Sequence, residues 1–173
     1  MDITPGTSSG ASGILYRVPR LEDGVGIHSL VRDSKPLDLN SLYSYLLLTA
    51  HFQDTCVVAE LRGEIVGYIS AYVHPKSSDT LFVWQVAVSG LVRKQGVGIS
   101  MLEHLLKRPS LSSVRMLETT VNPSNTGSAR LFKALARRLG APCRTSVFFS
   151  RELFEGQSHE EEVLFRIGPF SRY

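Results

Sequence analysis

The segment with the clearest chemical potential in this 173-residue chain is Arg93-Lys94-Gln95-Gly96-Val97-Gly98. It follows the apolar run Val86-Ala87-Val88 and precedes a stretch whose Ile99, Leu102, Leu105 and Leu106 share one helical face. A buried strand that passes through a short basic glycine loop into a helix makes an anion cradle. The first helical turn offers N–H groups without intrahelical partners and a partial positive charge. Gly96 and Gly98 let a phosphate approach the backbone with no Cβ in the way, while Arg93 and Lys94 add charge at the rim. An ordinary strand-to-helix turn with a surface arginine has the same local look. Two better-defined phosphate motifs are excluded. A P-loop needs Gly-Lys-Ser/Thr, and here Ile99 and Ser100 follow Gly98; a dinucleotide fingerprint needs three glycines in the first βα unit. His51 and His74 have no metal-like spacing, and Cys56 and Cys143 stand far apart with no second pair, so no metal is expected.

The elements that must carry this loop follow from periodicity and turn signals. Residues 1–13, rich in Ser, Gly and Thr, read as a disordered tail, and residues 14–170 as one domain. Ile14 to Val18 is a short strand, and Asp23 can cap a helix through Ile27, Leu30 and Val31. Asn40 or Ser41 can cap a second helix through Leu42, Tyr45 and Leu46. Thr55 to Leu61 and Ile65 to Val73 form a hairpin about Arg62-Gly63-Glu64. Thr80 to Val88 is apolar at nearly every position and is expected to be buried on both faces. Met116 to Val121 is another strand, and Ser124 or Asn125 can cap a last helix closed by Gly140 and Pro142. Thr145 to Ser150 and Val163 to Ile167 complete the sheet around a polar loop from Glu152 to Glu162. The fold class expected is α+β.

Composition bounds the partners. The formal net charge is +3 with scattered basic residues, too thin for a nucleic-acid track but sufficient for a small polyanion. No apolar run approaches the roughly 20 residues of a membrane span. With no signal-peptide pattern and two incidental thiols, a cytoplasmic protein is expected.

The Arg93 to Gly98 loop resembles the Arg-x-x-Gly-x-Gly pyrophosphate motif of the GNAT acetyltransferase superfamily. Asn125-x-x-Ser128-x-x-Leu131-Phe132 resembles that superfamily's Asn-x-x-Ala-x-x-Leu-Tyr helix, which flanks the CoA thiol. The resemblance implies a mixed, mostly antiparallel central sheet flanked by helices. It implies acetyl-CoA as cosubstrate, held by Val86, Ala87, Val88, Arg93, Lys94, Gln95, Gly96, Val97, Gly98, Asn125 and Phe132. Phe132 departs from the pattern: many members carry a Tyr whose hydroxyl can protonate the leaving thiolate, and Phe has no proton to give.

Longer strings resemble the diaminobutyrate acetyltransferases of ectoine biosynthesis. They are Pro36 to Tyr43, Tyr45 to Leu48, His51 to Thr55, Leu81 to Val88, Leu117 to Thr120, His159 to Glu162 and Arg166 to Pro169. The implied activity is acetyl transfer to the side-chain (N4) amine of L-2,4-diaminobutyrate, and the implied assembly a homodimer. A substrate with two amines needs acidic groups around it. Asp38, Tyr43, Trp84, His159, Glu161 and Glu162 are the substrate-binding candidates. Their plain readings are a turn residue for Asp38, a core side chain for Trp84 and a solvated loop for the glutamates.

Direct attack in a ternary complex needs a base, because the amine arrives as ammonium with a pKa near ~10. Glu118, with Thr119 and Thr120 beside it to orient water, is the first candidate and Glu161 the second. Three other readings remain open at this stage. They are a GNAT enzyme for another small diamino acid or polyamine, a non-catalytic acyl-CoA-binding module and, on pI alone, a nucleic-acid binder.

Overall fold

The computed structural model describes residues 13–155 and 159–171. The expected tail therefore lies outside the described residues except for Gly13. Among the described residues no helix is long and apolar enough to cross a membrane.

Seven strands make one sheet: β1 (Leu15–Arg17), β2 (Val57–Leu61), β3 (Glu64–Val73), β4 (Thr80–Val88), β5 (Met116–Val121), β6 (Cys143–Phe149) and β7 (Glu162–Ile167). Their order across the sheet is β1-β2-β3-β4-β5-β7-β6. Every neighbouring pair is antiparallel except β4 with β5, which is parallel. Four helices flank it: α1 (Gly24–Arg32), α2 (Leu42–His51), α3 (Val97–Leu106) and α4 (Thr126–Arg138). The α+β, mostly antiparallel architecture expected from the sequence is the one observed.

Alternation along β2 sorts the core into two layers. Val57 and Ala59 join a cluster with Leu102 and Leu105 of α3 and Leu135 of α4. Cys56 and Val58 join one with Ile27 and Val31 of α1 and Tyr45 of α2. Successive strand residues point to opposite faces, so α3 and α4 cover one side of the sheet and α1 and α2 the other.

Local chemistry explains the boundaries. Ser41 caps α2 by accepting from the Ser44 N–H at 3.2 Å, and Asn125 caps α4 by accepting from the Ser128 N–H at 3.1 Å. Of the two residues offered for each cap, these are the ones used. Asp23 precedes α1 without capping it. Arg17 takes both carboxylate oxygens at 2.7 and 2.8 Å, and the Arg20 N–H donates to the same group at 2.6 Å. Arg62 and Gly63 both have positive φ, 52° and 85°, as the two-residue turn between β2 and β3 requires.

β4 departs from expectation at one place. Trp84 is 46% exposed in an otherwise largely covered strand, whereas Gln85 is buried. The Gln85 side chain binds the fold together. Its Nε2 donates to the Asp38 carbonyl at 2.7 Å, and its Oε1 accepts from the Tyr45 hydroxyl at 3.1 Å. Tyr45 in turn accepts from the Asn40 N–H at 3.3 Å. The loop before α2 is thus tied to the central strand through the buried Gln85 and Tyr45 side chains. Tyr45→Phe leaves the shape and deletes both tyrosine bonds, so a buried acceptor on Gln85 loses its donor. It is expected to cost about 1–3 kcal/mol, read as a lower urea midpoint at unchanged slope.

Candidate active site

The site begins where the sheet comes apart. β4 and β5 pair from Thr80/Met116 to Val83/Thr119 and then stop, although β4 runs on to Val88 and β5 to Val121. On its other edge β4 stays paired with β3, but the register passes from Ala71/Val83 to Ser70/Gln85. Trp84 is the extra residue of that bulge, and a bulge bends its strand. The Val88 carbonyl turns away from β3 and accepts from Arg93 Nε at 3.2 Å. Along a strand, the N–H and C=O of one residue point to the same side and alternate, so Val86 presents its backbone to the same opening.

Two connected hollows fill the parting. The outer one, of about 720 Å³, runs between the β4–α3 loop, α4 and the Ser34–Leu37 segment. The inner one, of about 220 Å³, lies deeper between β4 and β5. Pro36, Leu37, Val86, Asn125 and Ser128 border both, which marks the junction.

The outer hollow suits a phosphorylated chain. Lys94 and Gly96 both have left-handed backbone, φ 63° and 77°, on either side of Gln95. Such alternation turns successive N–H groups inward to form a nest, and α3 opens directly behind it. A Cβ built on Gly96 would meet only Ile99 Cγ2, at 3.8 Å, so there is open space where a phosphate would approach. Arg93, Lys94 and Arg130 supply the charge around it. Of the residues expected here, Val86, Val88, Arg93, Lys94, Gly96, Val97, Gly98 and Asn125 line the hollow. Ala87 points to the opposite face, into the α1–α2 core. Gln95 is exposed and donates to the Leu91 carbonyl at 3.2 Å. Phe132 lies behind the junction and borders the inner hollow.

The inner hollow is acidic at its mouth and hydroxyl-lined inside. Asp38, Trp84, Thr119, Thr120 and Glu162 border it. Glu162 is largely covered, and its Oε1 accepts from Asn122 Nδ2 at 3.0 Å. His159 stands between the two carboxylates, with Nε2 3.6 Å from Asp38 Oδ2 and 3.7 Å from Glu162 Oε1. Its ring stacks on Phe154 at 4.0 Å, and its Nδ1 lies 2.6 Å from the Glu160 carbonyl, which only a protonated Nδ1 can satisfy as a donor.

Three expected residues stand elsewhere. Glu118 is not in the hollow wall; it sits opposite Arg166 on β7 and forms an ion pair with Arg166 Nε at 3.2 Å. Glu161 is half-buried beside the site without bordering it. Tyr43, 68% exposed, is on the outer side of α2. Sequence reasoning missed Gln85 and Asn122, which hold the Asp38 loop and Glu162 in place. Gln85 was discoverable as the one polar side chain inside an apolar strand. Asn122 had no such signal, because its partner lies 40 residues away.

No cysteine is available as a nucleophile at this site. Cys56 is buried beneath α2 and Cys143 lies on β6, and burial pushes both thiols up.

A profile of the acetyltransferase (GNAT) family matches residues 25–136. The L-2,4-diaminobutyric acid acetyltransferase of Bordetella parapertussis is 51% identical over 164 residues, covering 93% of this chain and 88% of that protein. The enzyme of the same name from Shouchella clausii is 44% identical over 151 residues, covering 87% and 84%. Among solved structures, the diaminobutyrate acetyltransferase EctA from Paenibacillus lautus superposes with a TM-score of 0.89 at 45% identity. It covers 97% of this chain and 99% of its own, in complex with L-2,4-diaminobutyric acid and coenzyme A.

The left-handed backbone at Gly96 makes the cradle testable. Gly96→Val places a branched side chain both in a strained conformation and in the phosphate approach, each disfavoured by about 1–2 kcal/mol or more. Calorimetric binding of CoA, used as the probe, is expected to weaken by at least about tenfold while the cooperative unfolding transition persists.

Proposed function

The chain belongs to the acetyltransferase (GNAT) family, on the branch of the diaminobutyrate acetyltransferases, and from that premise we propose its reaction: transfer of the acetyl group of acetyl-CoA to the side-chain (N4) amine of L-2,4-diaminobutyrate. The observation that carries this reading is the meeting of a basic phosphate cradle and a small acidic hollow at one junction, bordered by Val86 and Ser128. The cradle takes the pyrophosphate arm, and the acetyl thioester lies along the free edge of β4. The Val86 N–H on that edge is placed to receive the carbonyl oxygen as it gains charge.

The diamino acid brings two ammonium groups and one carboxylate. Asp38, at the mouth and highly exposed, suits the α-ammonium, while Glu162, deeper and anchored by Asn122, suits the reacting one. Trp84 borders the same hollow, where an aromatic ring can flank an ammonium. Holding the α-ammonium at the rim directs acetylation to the side chain.

Glu162 is the base in this reading. It is the glutamate that borders the hollow, and His159 Nε2 at 3.7 Å gives it a neighbour for the departing proton. This replaces Glu118, whose carboxylate already has Arg166 as partner outside the wall. The neutral amine then attacks the thioester directly, with no acyl-enzyme. Supply of acetyl-CoA places the enzyme in the cytoplasm. The working unit is a homodimer: Leu42, Tyr43 and Leu47 expose apolar surface on α2, and Phe148 and Phe149 do so on the edge strand β6.

Three variants separate the roles. Asp38→Ala is expected to raise the Michaelis constant for diaminobutyrate only a few-fold, the roughly 0.2–1 kcal/mol of an exposed ion pair, leaving that for acetyl-CoA unchanged. Glu162→Gln is expected to lower turnover by about 10²–10⁴-fold, the usual share of general-base catalysis. Glu118→Gln is expected to keep turnover near wild type. A large loss in Glu118→Gln with none in Glu162→Gln would return the base role to β5. Light scattering is expected to report twice the chain's mass; a monomer with full activity would remove the dimer from the mechanism.

A further inference from the structure

Acyl transfer ends with a sulfur that must gain a proton, and the residue expected to supply it, Phe132, has none to give. Phe132 is 2% exposed behind the junction of the two hollows. One helical turn earlier, on the same face of α4, stands Ser128. Ser128 borders both the outer and the inner hollow, and it is the only hydroxyl that does so among the described residues. Its backbone N–H is committed to the Asn125 cap at 3.1 Å, while its Oγ makes no hydrogen bond among the described residues. A half-buried hydroxyl without a partner, at the place where donor and acceptor substrates must meet, is free to bond whatever arrives there.

We propose that the Ser128 hydroxyl is the group through which the departing CoA sulfur receives its proton. The assignment rests on the acetyltransferase reading above and adds a catalytic residue to it. A serine hydroxyl is far less acidic than a thiol, so it cannot surrender its proton outright; it can relay one. The amine nitrogen forms its bond to the thioester carbon and becomes positively charged, and the carbon–sulfur bond breaks with its electron pair leaving on sulfur. Ser128 Oγ accepts a proton from that nitrogen as its own hydrogen passes to sulfur. The nitrogen loses one proton, the sulfur gains one, and the serine is regenerated, leaving an amide and a free thiol. Glu162 acts earlier, when the ammonium is first neutralised, so the two residues handle different protons. The hydroxyl that the family's helix pattern places at position 132 is in this chain displaced by one turn.

Ser128→Ala tests this without endangering the fold, because alanine is the better helix former and the Asn125 cap uses the backbone of residue 128. Turnover is expected to fall by about 100-fold, with both Michaelis constants within about twofold of wild type. Restoring a hydroxyl one turn away, in Ser128→Ala/Phe132→Tyr, is expected to recover at least about tenfold of that loss. A second readout needs no turnover. Thiolate absorbance of protein-bound CoA, followed against pH, is expected to show the thiol ionising about tenfold less readily in Ser128→Ala than in wild type, since a hydrogen bond to a charged acceptor is lost. Wild-type turnover retained by Ser128→Ala, or an unchanged thiol titration, overturns the assignment. Failure of the wild-type protein to bind CoA at all would instead remove the acetyltransferase reading on which it stands.

Discussion

Everything functional in this fold follows from one interrupted interaction, the parallel pairing of β4 with β5. Four residue pairs hold the two strands together, and then they part, β4 keeping its pairing with β3 and β5 its pairing with β7. A sheet interior does not normally leave backbone donors and acceptors unpaired, because a buried group without a partner costs about 1–3 kcal/mol. Here the free edge of β4 faces an open wedge where water or a ligand's amide groups can complete it. The Trp84 bulge sets the bend on one side, and the Ser34–Leu37 segment and α4 wall the wedge on the others. The fold tolerates the break because the β4–β3 ladder and the α1–α2 core behind Gln85 and Ala87 remain intact.

Charge is segregated along that wedge. Arg93, Lys94 and Arg130 stand at the outer end, and Asp38 and Glu162 at the inner mouth. A polyphosphate and a diammonium substrate are therefore drawn to opposite ends and can meet only at the middle, where the wall is apolar or hydroxyl-bearing. Alignment of the two reactants by opposite fields lowers the barrier without covalent help, since orientation alone supplies several kcal/mol.

How much of this was legible in the sequence depended on how local each cause was. The strand–glycine–helix cradle was readable because left-handed backbone, helix N-terminus and basic rim all lie within a few residues of one another. Strand limits for β4 and β5 matched for the same reason. Glu118 shows where locality fails. Its strand is the expected one, but position along the strand decides whether a side chain meets the wedge or its cross-strand neighbour, and Arg166 arrives from a strand far away in sequence. Tyr43 fails differently, since a motif match says nothing about which side of α2 it occupies. Trp84, expected at the substrate site, borders the inner hollow through a bulge that hydrophobicity did not announce.

Gln85 shows why fold and site cannot be separated here. An amide in the middle of an apolar strand would weaken the core if left alone. Its three neighbours, the Tyr45 hydroxyl, the Asp38 carbonyl and through Tyr45 the Asn40 N–H, satisfy it in a closed set. Partial satisfaction would be worse than an apolar side chain in the same place, because low local dielectric raises the cost of each unpaired group. The set therefore acts as a unit, and what it fixes is the loop that carries Asp38 across from β4. A carboxylate that must hold an ammonium at a set distance from a thioester needs a backbone that does not drift, and an exposed loop before a helix would otherwise drift. The buried polar network converts the rigidity of the central strand into the placement of an exposed side chain. The same logic operates on the other wall, where Asn122 fixes Glu162. Both acidic groups owe their positions to amides, Gln85 and Asn122, that border the same inner hollow.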